Sequence, residues 1–290
     1  MRMNRYIKIF ISTPVLLIIL FYISCSSSPK NAGDVYYLRL QAEDGLEAAN
    51  REAERGNFEN ALSLLTGFKR NAILADDLSL IVRISLARGN VFYSLGKTDE
   101  AFADWDFALK EADLLGDKEL LSTAKIFYAR GNILTGRKSA MSVLEEVTLE
   151  SANIKKNRLY IAFSWQVRGL ALRELGLWND AEDAMKKSLA IHEKDKRLEN
   201  ASYDWYTIAS VRSLSGDTYG AISALETSIS LDRRIENSWG LASSWRALGD
   251  VLRKAGRERD ALDAYRRSRS IYIDMGNDYE VEELNKRINN

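Results

Sequence analysis

Small and apolar residues recur along this chain at a fixed interval of 40 residues. Six glycines mark the interval: Gly56, Gly96, Gly136, Gly176, Gly216 and Gly256. A small residue stands seven positions before each glycine, and alanine stands five positions after five of the six. Apolar residues at helical spacing lie on both sides of each glycine. The pattern predicts pairs of helices, each pair joined at a glycine in the left-handed conformation.

Such helix pairs must stack, because one pair has no partner against which to bury its apolar face. The third unit is degenerate, with Met141 in an alanine position and Glu145 in a large apolar one. Breaks between the pairs are predicted near Gly116, Asn157, Asn200, Asn237 and Gly276. The chain is therefore expected to be all-α: an α-solenoid of antiparallel helix hairpins in six repeats over residues 42–281. An amphipathic helix from Tyr279 to Ile288 is expected to cap the last hairpin, with residues 282–290 as its end.

The residues of the sixth unit carry a family resemblance. They are Trp245, Leu248, Gly249, Leu252, Gly256, Ala261, Tyr265 and Ser268. This set resembles the signature of the tetratricopeptide repeat, whose standard unit has about 34 residues. The 40-residue unit found here resembles the long-repeat subclass of kinesin light chains. The resemblance implies a helical solenoid whose usual role is to bind other proteins.

The N-terminus has the layout of a secretory signal. Arg2, Arg5 and Lys8 precede an apolar run over residues 9–23, which is short for a membrane-spanning helix of about 20 residues. Residues 1–24 are therefore expected to be a signal peptide. The run ends at Cys25, the only cysteine.

The position of Cys25 resembles the lipobox of bacterial lipoproteins. Ser24 fits that motif, whereas Tyr22 stands where leucine is usual. The resemblance implies lipidation of Cys25, with residues 25–41 as a lipidated tether and the approach to the first helix. The alternative is an uncleaved signal anchor with an inert cysteine. In both cases the body is expected to be extracytoplasmic, and lipidation would anchor it to a bacterial membrane, at the outer membrane or cell surface.

Composition argues against several classes of function. Lys and Arg total 41, as do Asp and Glu, so no basic excess indicates nucleic-acid binding. One cysteine and one histidine do not make a zinc site of the Cys/His type. His192 stands among charged residues and is expected at a solvated helix end. We therefore expect no enzyme activity, no metal and no cofactor.

The resemblance places the working surface on the concave groove, lined by the first helix of each hairpin. The family positions that carry over are Arg83, Asn90, Tyr93, Arg130, Phe163, Gln166, Arg173, Tyr203, Tyr206, Arg246 and Arg253. Arginine and tyrosine are enriched in binding hot spots, and the arginine fork suits carboxylates. The groove is expected to hold a protein or peptide partner.

Two functions remain open from the sequence. The first is a membrane-anchored scaffold for protein–protein interaction in the cell envelope. The alternative is a ligand-binding accessory lipoprotein of a solute transporter. An open groove would favour the scaffold, and a closed pocket in the solenoid would favour the accessory protein. The pattern does not predict the oligomeric state.

Overall fold

The computed structural model describes residues 33–289, which form thirteen α-helices and no strand. The helices are α1 (Asp34–Glu54), α2 (Phe58–Leu74), α3 (Leu78–Ser94), α4 (Thr98–Leu115), α5 (Lys118–Leu134), α6 (Ala140–Ser151), α7 (Arg158–Glu174), α8 (Trp178–Lys194), α9 (Leu198–Ser215), α10 (Thr218–Arg234), α11 (Ser238–Lys254), α12 (Glu258–Asp274) and α13 (Asp278–Asn289). The predicted signal peptide, Cys25 and the start of the tether lie outside the described residues. No helix within 33–289 is long and apolar enough to cross a membrane.

Consecutive helices pack as antiparallel hairpins, beginning with α1–α2 and ending with α11–α12. The prediction of six stacked hairpins and a capping helix is confirmed. Helix α13 packs on α12 and buries Leu284 completely. The first hairpin begins at Asp34, so the repeat boundary placed at residue 42 falls inside α1.

The turns inside the hairpins follow the glycine pattern. All six predicted glycines are left-handed, with φ between 67° and 95°. The small residues before them have a packing role, because a Cβ atom at Gly89 would collide with Trp105, and one at Gly249 would collide with Tyr265. Helices of one hairpin therefore approach closely where one presents glycine and the other a large side chain.

The turns between hairpins repeat the left-handed conformation, but often without glycine. Asp76, Lys196 and Glu236 have φ of 50°, 56° and 58°, at the positions that Gly116 and Gly276 occupy in other turns. The break predicted near Asn200 was misplaced, because that residue lies inside α9 and the turn spans residues 195–197. Lys196 supplies the left-handed residue there, so no glycine marks the turn in the sequence.

The third hairpin is irregular, as its sequence predicts. Its second helix, α6, has 12 residues and is followed by a loop over residues 152–157. Met141 is 51% exposed, while Val143 and Val147 are fully buried. Two valines thus replace the alanine and large apolar residue on which the other hairpins rely.

The solenoid closes on itself. The ring of Phe58, at the start of α2, packs edge-on against Trp239 of α11, with 4.9 Å between ring centroids. The turn at Gly56 also adjoins Met275, which follows α12. The first hairpin therefore packs on the sixth, and the concave surface becomes the wall of a central cavity.

Near this seam between the first and sixth hairpins, Glu54 has a pKa outside its ordinary range. Burial raises the pKa of Glu54 from 4.5 to about 7, and repulsion by Glu199 on α9 adds to this rise. Glu54 therefore retains a proton over part of the range near neutral pH.

The left-handed turns give a matched test of backbone strain. Gly216 has φ 95° with open space around its Cα, so Gly216→Val adds strain without a clash. We expect it to lower stability by roughly 1–2 kcal/mol. Glu236→Gly should raise stability by about 0.5–1 kcal/mol, since it relieves strain of the same kind. Thermal melts followed by circular dichroism measure both, and a stabilised Gly216→Val would contradict the turn assignment.

The raised pKa of Glu54 predicts a pH dependence of stability. A carboxyl whose pKa is raised by folding destabilises the folded state once it ionises, so stability should fall as pH rises from 4.5 towards 7 and then level off. Glu54→Gln should remove this loss and be more stable at pH 8 by on the order of 1–3 kcal/mol. Melting temperatures at several pH values measure it, with exposed Glu59→Gln as control. Parallel pH profiles for all three proteins would contradict the prediction.

Candidate functional site

The central cavity has a volume of about 450 Å³ and receives side chains from eight of the helices. Much of its wall is apolar, formed by Leu46, Phe58, Leu86, Phe127, Leu159, Phe163 and Trp239. The rings of Phe127 and Phe163 lie 4.2 Å apart and join adjacent hairpins across this wall. Such a surface suits the burial of apolar or aromatic groups.

Three arginines give the cavity a positive charge. Arg83 comes from α3, Arg130 from α5, and Arg197 from the turn before α9. None of them has a carboxylate of residues 33–289 within 4.0 Å of its guanidinium. Glu54 is the one acid among the lining residues. The cavity therefore favours an anionic guest.

Arg83 also adjoins a half-buried tyrosine of the wall, Tyr160. Burial raises the pKa of Tyr160, and the nearby Arg83 acts in the opposite direction. The phenol is thus neutral over the physiological range, so it adds a polar but uncharged contact to the apolar wall.

A buried polar network lies behind the wall at α7, α8 and α9. His192 is 1% exposed and contacts Asp204 Oδ2 through Nδ1 at 2.7 Å. Asp204 Oδ1 accepts from Gln166 Nε2 at 2.7 Å and from Ser188 Oγ at 3.2 Å. The solvated helix end expected for His192 was wrong, because the helix presents this position to the next hairpin.

The network is not a hydrolytic triad. Ser188 Oγ lies 3.4 Å from Nδ1 of His192, the same nitrogen that contacts Asp204. A catalytic serine must face the other ring nitrogen, so that Nε2 removes its proton. Within residues 33–289, no three His, Cys, Asp or Glu side chains are grouped so that they could hold a metal.

Six residues of the predicted groove come together around the cavity: Arg83, Asn90, Arg130, Phe163, Gln166 and Tyr203. Three others lie elsewhere. Tyr93 and Tyr206 pack against hydrophobic clusters inside the solenoid. Arg173 pairs with Glu174 at 2.6 Å, so it does not share one continuous patch with Arg130.

Two more of the predicted arginines tie down the capping helix. Arg246 forms an ion pair with Glu280 of α13. Arg253 donates to the main-chain oxygen of Arg287 at 2.8 Å and pairs with Glu258. Neither lines the cavity.

Sequence reasoning missed Glu54, His192 and Arg197. The first two lie late in their helices, and the third lies in a turn that no glycine marks. A signal existed for His192, because the position 16 residues after each turn glycine holds buried Ala72 and Ala112 in earlier repeats. A histidine in that slot departs from the packing pattern.

Comparisons with known proteins agree with this fold. A family model described as tetratricopeptide repeat matches residues 201–274, which span the fifth and sixth hairpins. No curated protein matches the chain in sequence.

Solved structures resemble the chain over most of its length. A Rap protein complexed with Competence and Sporulation Factor has a TM-score of 0.59 at 14% identity, covering 86% of this chain and 74% of that one. BtubC (BKLC) from P. vanneervenii has a TM-score of 0.54 at 15% identity, covering 78% and 92%. A tetratricopeptide repeat protein from Parabacteroides merdae ATCC 43184 has a TM-score of 0.51 at 14% identity, covering 89% and 99%.

At these identities the structural likeness shows the fold alone. The family match adds the sequence signature in the last two hairpins, and the four preceding hairpins repeat the left-handed turn glycines of those two. Proteins of this fold serve as scaffolds for protein–protein interaction. Residues 201–274 therefore match the tetratricopeptide repeat family, and the described part of the chain has the fold of such repeat proteins.

Proposed function

We propose that this protein is a membrane-anchored binding scaffold whose central cavity takes a short, carboxylate-bearing peptide segment. The observation that carries the proposal is the set of three arginines without acidic partners, which line one cavity with aromatic walls. Guanidinium groups bind carboxylates through paired hydrogen bonds, and aromatic rings add apolar contact area. A guest with both an acid and apolar side chains satisfies both parts of the wall.

The size of the cavity limits the guest. A volume of about 450 Å³ lies within the range of roughly 300–1,000 Å³ typical of small-ligand sites. The contact of Phe58 with Trp239 closes the groove along which a long extended polypeptide would otherwise lie. The guest is therefore a short terminus or loop of a partner, a few side chains in size.

The same closure supports a second candidate, a ligand-binding accessory of a solute transporter. A closed pocket was the feature expected to favour that function over a scaffold. The choice of a peptide guest rests on the number of polar groups in the wall, since Asn50, Asn90 and Asn200 line the cavity along with the charged groups. Main-chain amides of a peptide would use these side chains. The Rap protein of the same fold is complexed with a factor, which agrees with a binding role.

The anchoring part of the proposal rests on the N-terminal sequence. A basic segment, an apolar run and Cys25 stand in the order that lipoprotein signals use. Acyl chains on Cys25 would hold the chain at a bacterial membrane with the repeats outside the cytoplasm. The cavity would then meet partners of the cell envelope.

Reversal of cavity charge tests the binding role. Arg83→Glu with Arg130→Glu should weaken capture of acidic tripeptides by at least about tenfold, or roughly 1.4 kcal/mol. Both side chains lack ion-pair partners, so helicity should be unchanged. Affinity selection from a tripeptide library, read by mass spectrometry, measures capture. The matched control is Arg173→Glu, an arginine outside the cavity that should keep wild-type capture.

Equal capture by the double variant and the wild type would overturn the peptide-binding proposal. Selective capture of small non-peptide carboxylates, with no peptide retained, would instead favour the transporter accessory.

The anchor has its own test. Cys25→Ala should abolish palmitate labelling and leave an unprocessed precursor, because the acyl chains attach to this thiol. Metabolic labelling and immunoblots of cell fractions measure both effects. Ser26→Ala serves as a neighbouring control with normal labelling. Palmitate labelling that persists in Cys25→Ala would contradict the lipoprotein proposal.

A further inference from the structure

The network around His192 contains one ring nitrogen that lacks a partner, in a residue that lines the cavity. His192 lines the cavity, and its Nε2 is buried without a hydrogen-bond partner among residues 33–289. Leaving a buried polar atom unsatisfied costs about 1–3 kcal/mol, so such atoms call for an explanation. The other ring nitrogen is fully used, since Nδ1 contacts Asp204.

The acid behind the histidine fixes the direction of the ring. Asp204 is 0% exposed and accepts hydrogen bonds from Gln166 and Ser188 as well as contacting His192. Nδ1 of His192 is thus tied to one oxygen of Asp204, while Gln166 and Ser188 hold the other oxygen. These contacts hold the imidazole in one orientation, and Nε2 is the ring nitrogen that is left without a partner.

The surroundings of the pair leave one nitrogen for a further partner. No lysine or arginine of the described residues forms an ion pair with Asp204, and His192 is the one basic group in contact with it. A guest carboxylate at Nε2 would place a second acceptor on the ring, opposite the one that Asp204 provides at Nδ1. In such a complex Nδ1 would donate to Asp204 and Nε2 would donate to the guest.

We propose that His192 Nε2 donates a hydrogen bond to a carboxylate of the guest, with Asp204 as the positioning residue that holds the imidazole ring. This inference rests on the proposed function and names the group of the peptide that is recognised. Arg83, Arg130 and Arg197 line the same cavity, so three guanidinium groups also favour an anion there. The carboxylate is the terminal one of a peptide or that of an acidic side chain.

Packing alone does not call for a histidine at this place. The equivalent slot holds fully buried alanine in the first two repeats, Ala72 and Ala112. In the fifth repeat it holds Asp232, which is also buried but does not line the cavity. The histidine occurs in the repeat where the slot meets the cavity, and Asp232 provides a matched control.

The unique histidine permits a direct test. Uniformly ¹⁵N-labelled full chain, purified in detergent without a histidine tag, gives one imidazole spin system in a long-range ¹H–¹⁵N spectrum. Three acetylated tripeptide libraries serve as probes: free C-terminal carboxylates without acidic side chains, C-terminal amides with one glutamate, and amides without acids. Binding of each library is followed independently by tryptophan fluorescence, since Trp239 lines the cavity.

We expect the His192 Nε2 resonance to shift and to show a bound proton with a carboxylate library, and to stay in place with the uncharged amides. A shift with the first library identifies a terminal carboxylate, and a shift with the second identifies an acidic side chain. The Nδ1 resonance should change little, because its contact with Asp204 persists.

Variants separate positioning from simple folding. Asp204→Asn should weaken binding of the effective carboxylate library by at least about tenfold, while Asp232→Asn should stay within about twofold of the wild type. His192→Gln should lose affinity for carboxylates and keep its weaker affinity for amides. The spectrum of the wild-type protein tests the contact of His192 Nε2 with the carboxylate even where a variant folds poorly.

Different failures have different meanings. Fluorescence changes without any shift at Nε2 would overturn this inference and leave the peptide-binding function standing. A shift that is equal for the uncharged amides would overturn the carboxylate assignment. Binding of none of the libraries would overturn both the inference and the proposed function.

Discussion

The contact between Phe58 and Trp239 decides what kind of surface this solenoid offers. Edge-on aromatic pairs contribute about 0.5–1.5 kcal/mol beyond the area they bury, a small amount beside the core of six hairpins. Its consequence is geometric, because it joins the first hairpin to the sixth and turns a groove into a cavity. Glu54 and Glu199 repel each other close to the same seam, so the closure combines an apolar attraction with an electrostatic cost.

The features that the sequence predicted correctly are those repeated in every unit. Gly176 and Gly216 mark left-handed turns because glycine adopts that conformation without strain, and the same need recurs every 40 residues. Gly89 and Gly249 mark close contacts between helices for an equally local reason. The six hairpins and their stacking follow from these positions, so the fold was within reach of sequence reasoning.

The closure of the ring of hairpins and the composition of the cavity could not be predicted from the sequence. Phe58 and Trp239 are far apart in sequence, and they meet because small rotations from one hairpin to the next add up around the ring. The sequence of a single repeat does not indicate this accumulated rotation. The turn before α9 has Lys196, not glycine, in its left-handed position. The turn is therefore not marked in the sequence, and the position of Arg197 at the cavity wall was not predicted. Six of the eleven predicted groove residues line the cavity, because family positions give the face of a helix but not the radius of the ring.

The arginines of this chain separate into two groups by what the neighbouring hairpin presents to them. Arg246 and Arg253 occupy the same face of their helix, and α13 offers them Glu280 and a main-chain oxygen, so their charge is used inside the protein. Arg83 and Arg130 occupy equivalent faces earlier in the chain, where the neighbours offer aromatic rings instead. The overall charge balance of 41 basic and 41 acidic groups conceals this difference. Guanidinium groups that lack acidic partners repel one another, and an anion in the cavity reduces that repulsion. Helix α13 provides permanent partners for Arg246 and Arg253. The arginines of the cavity instead find an acidic partner only when a guest binds.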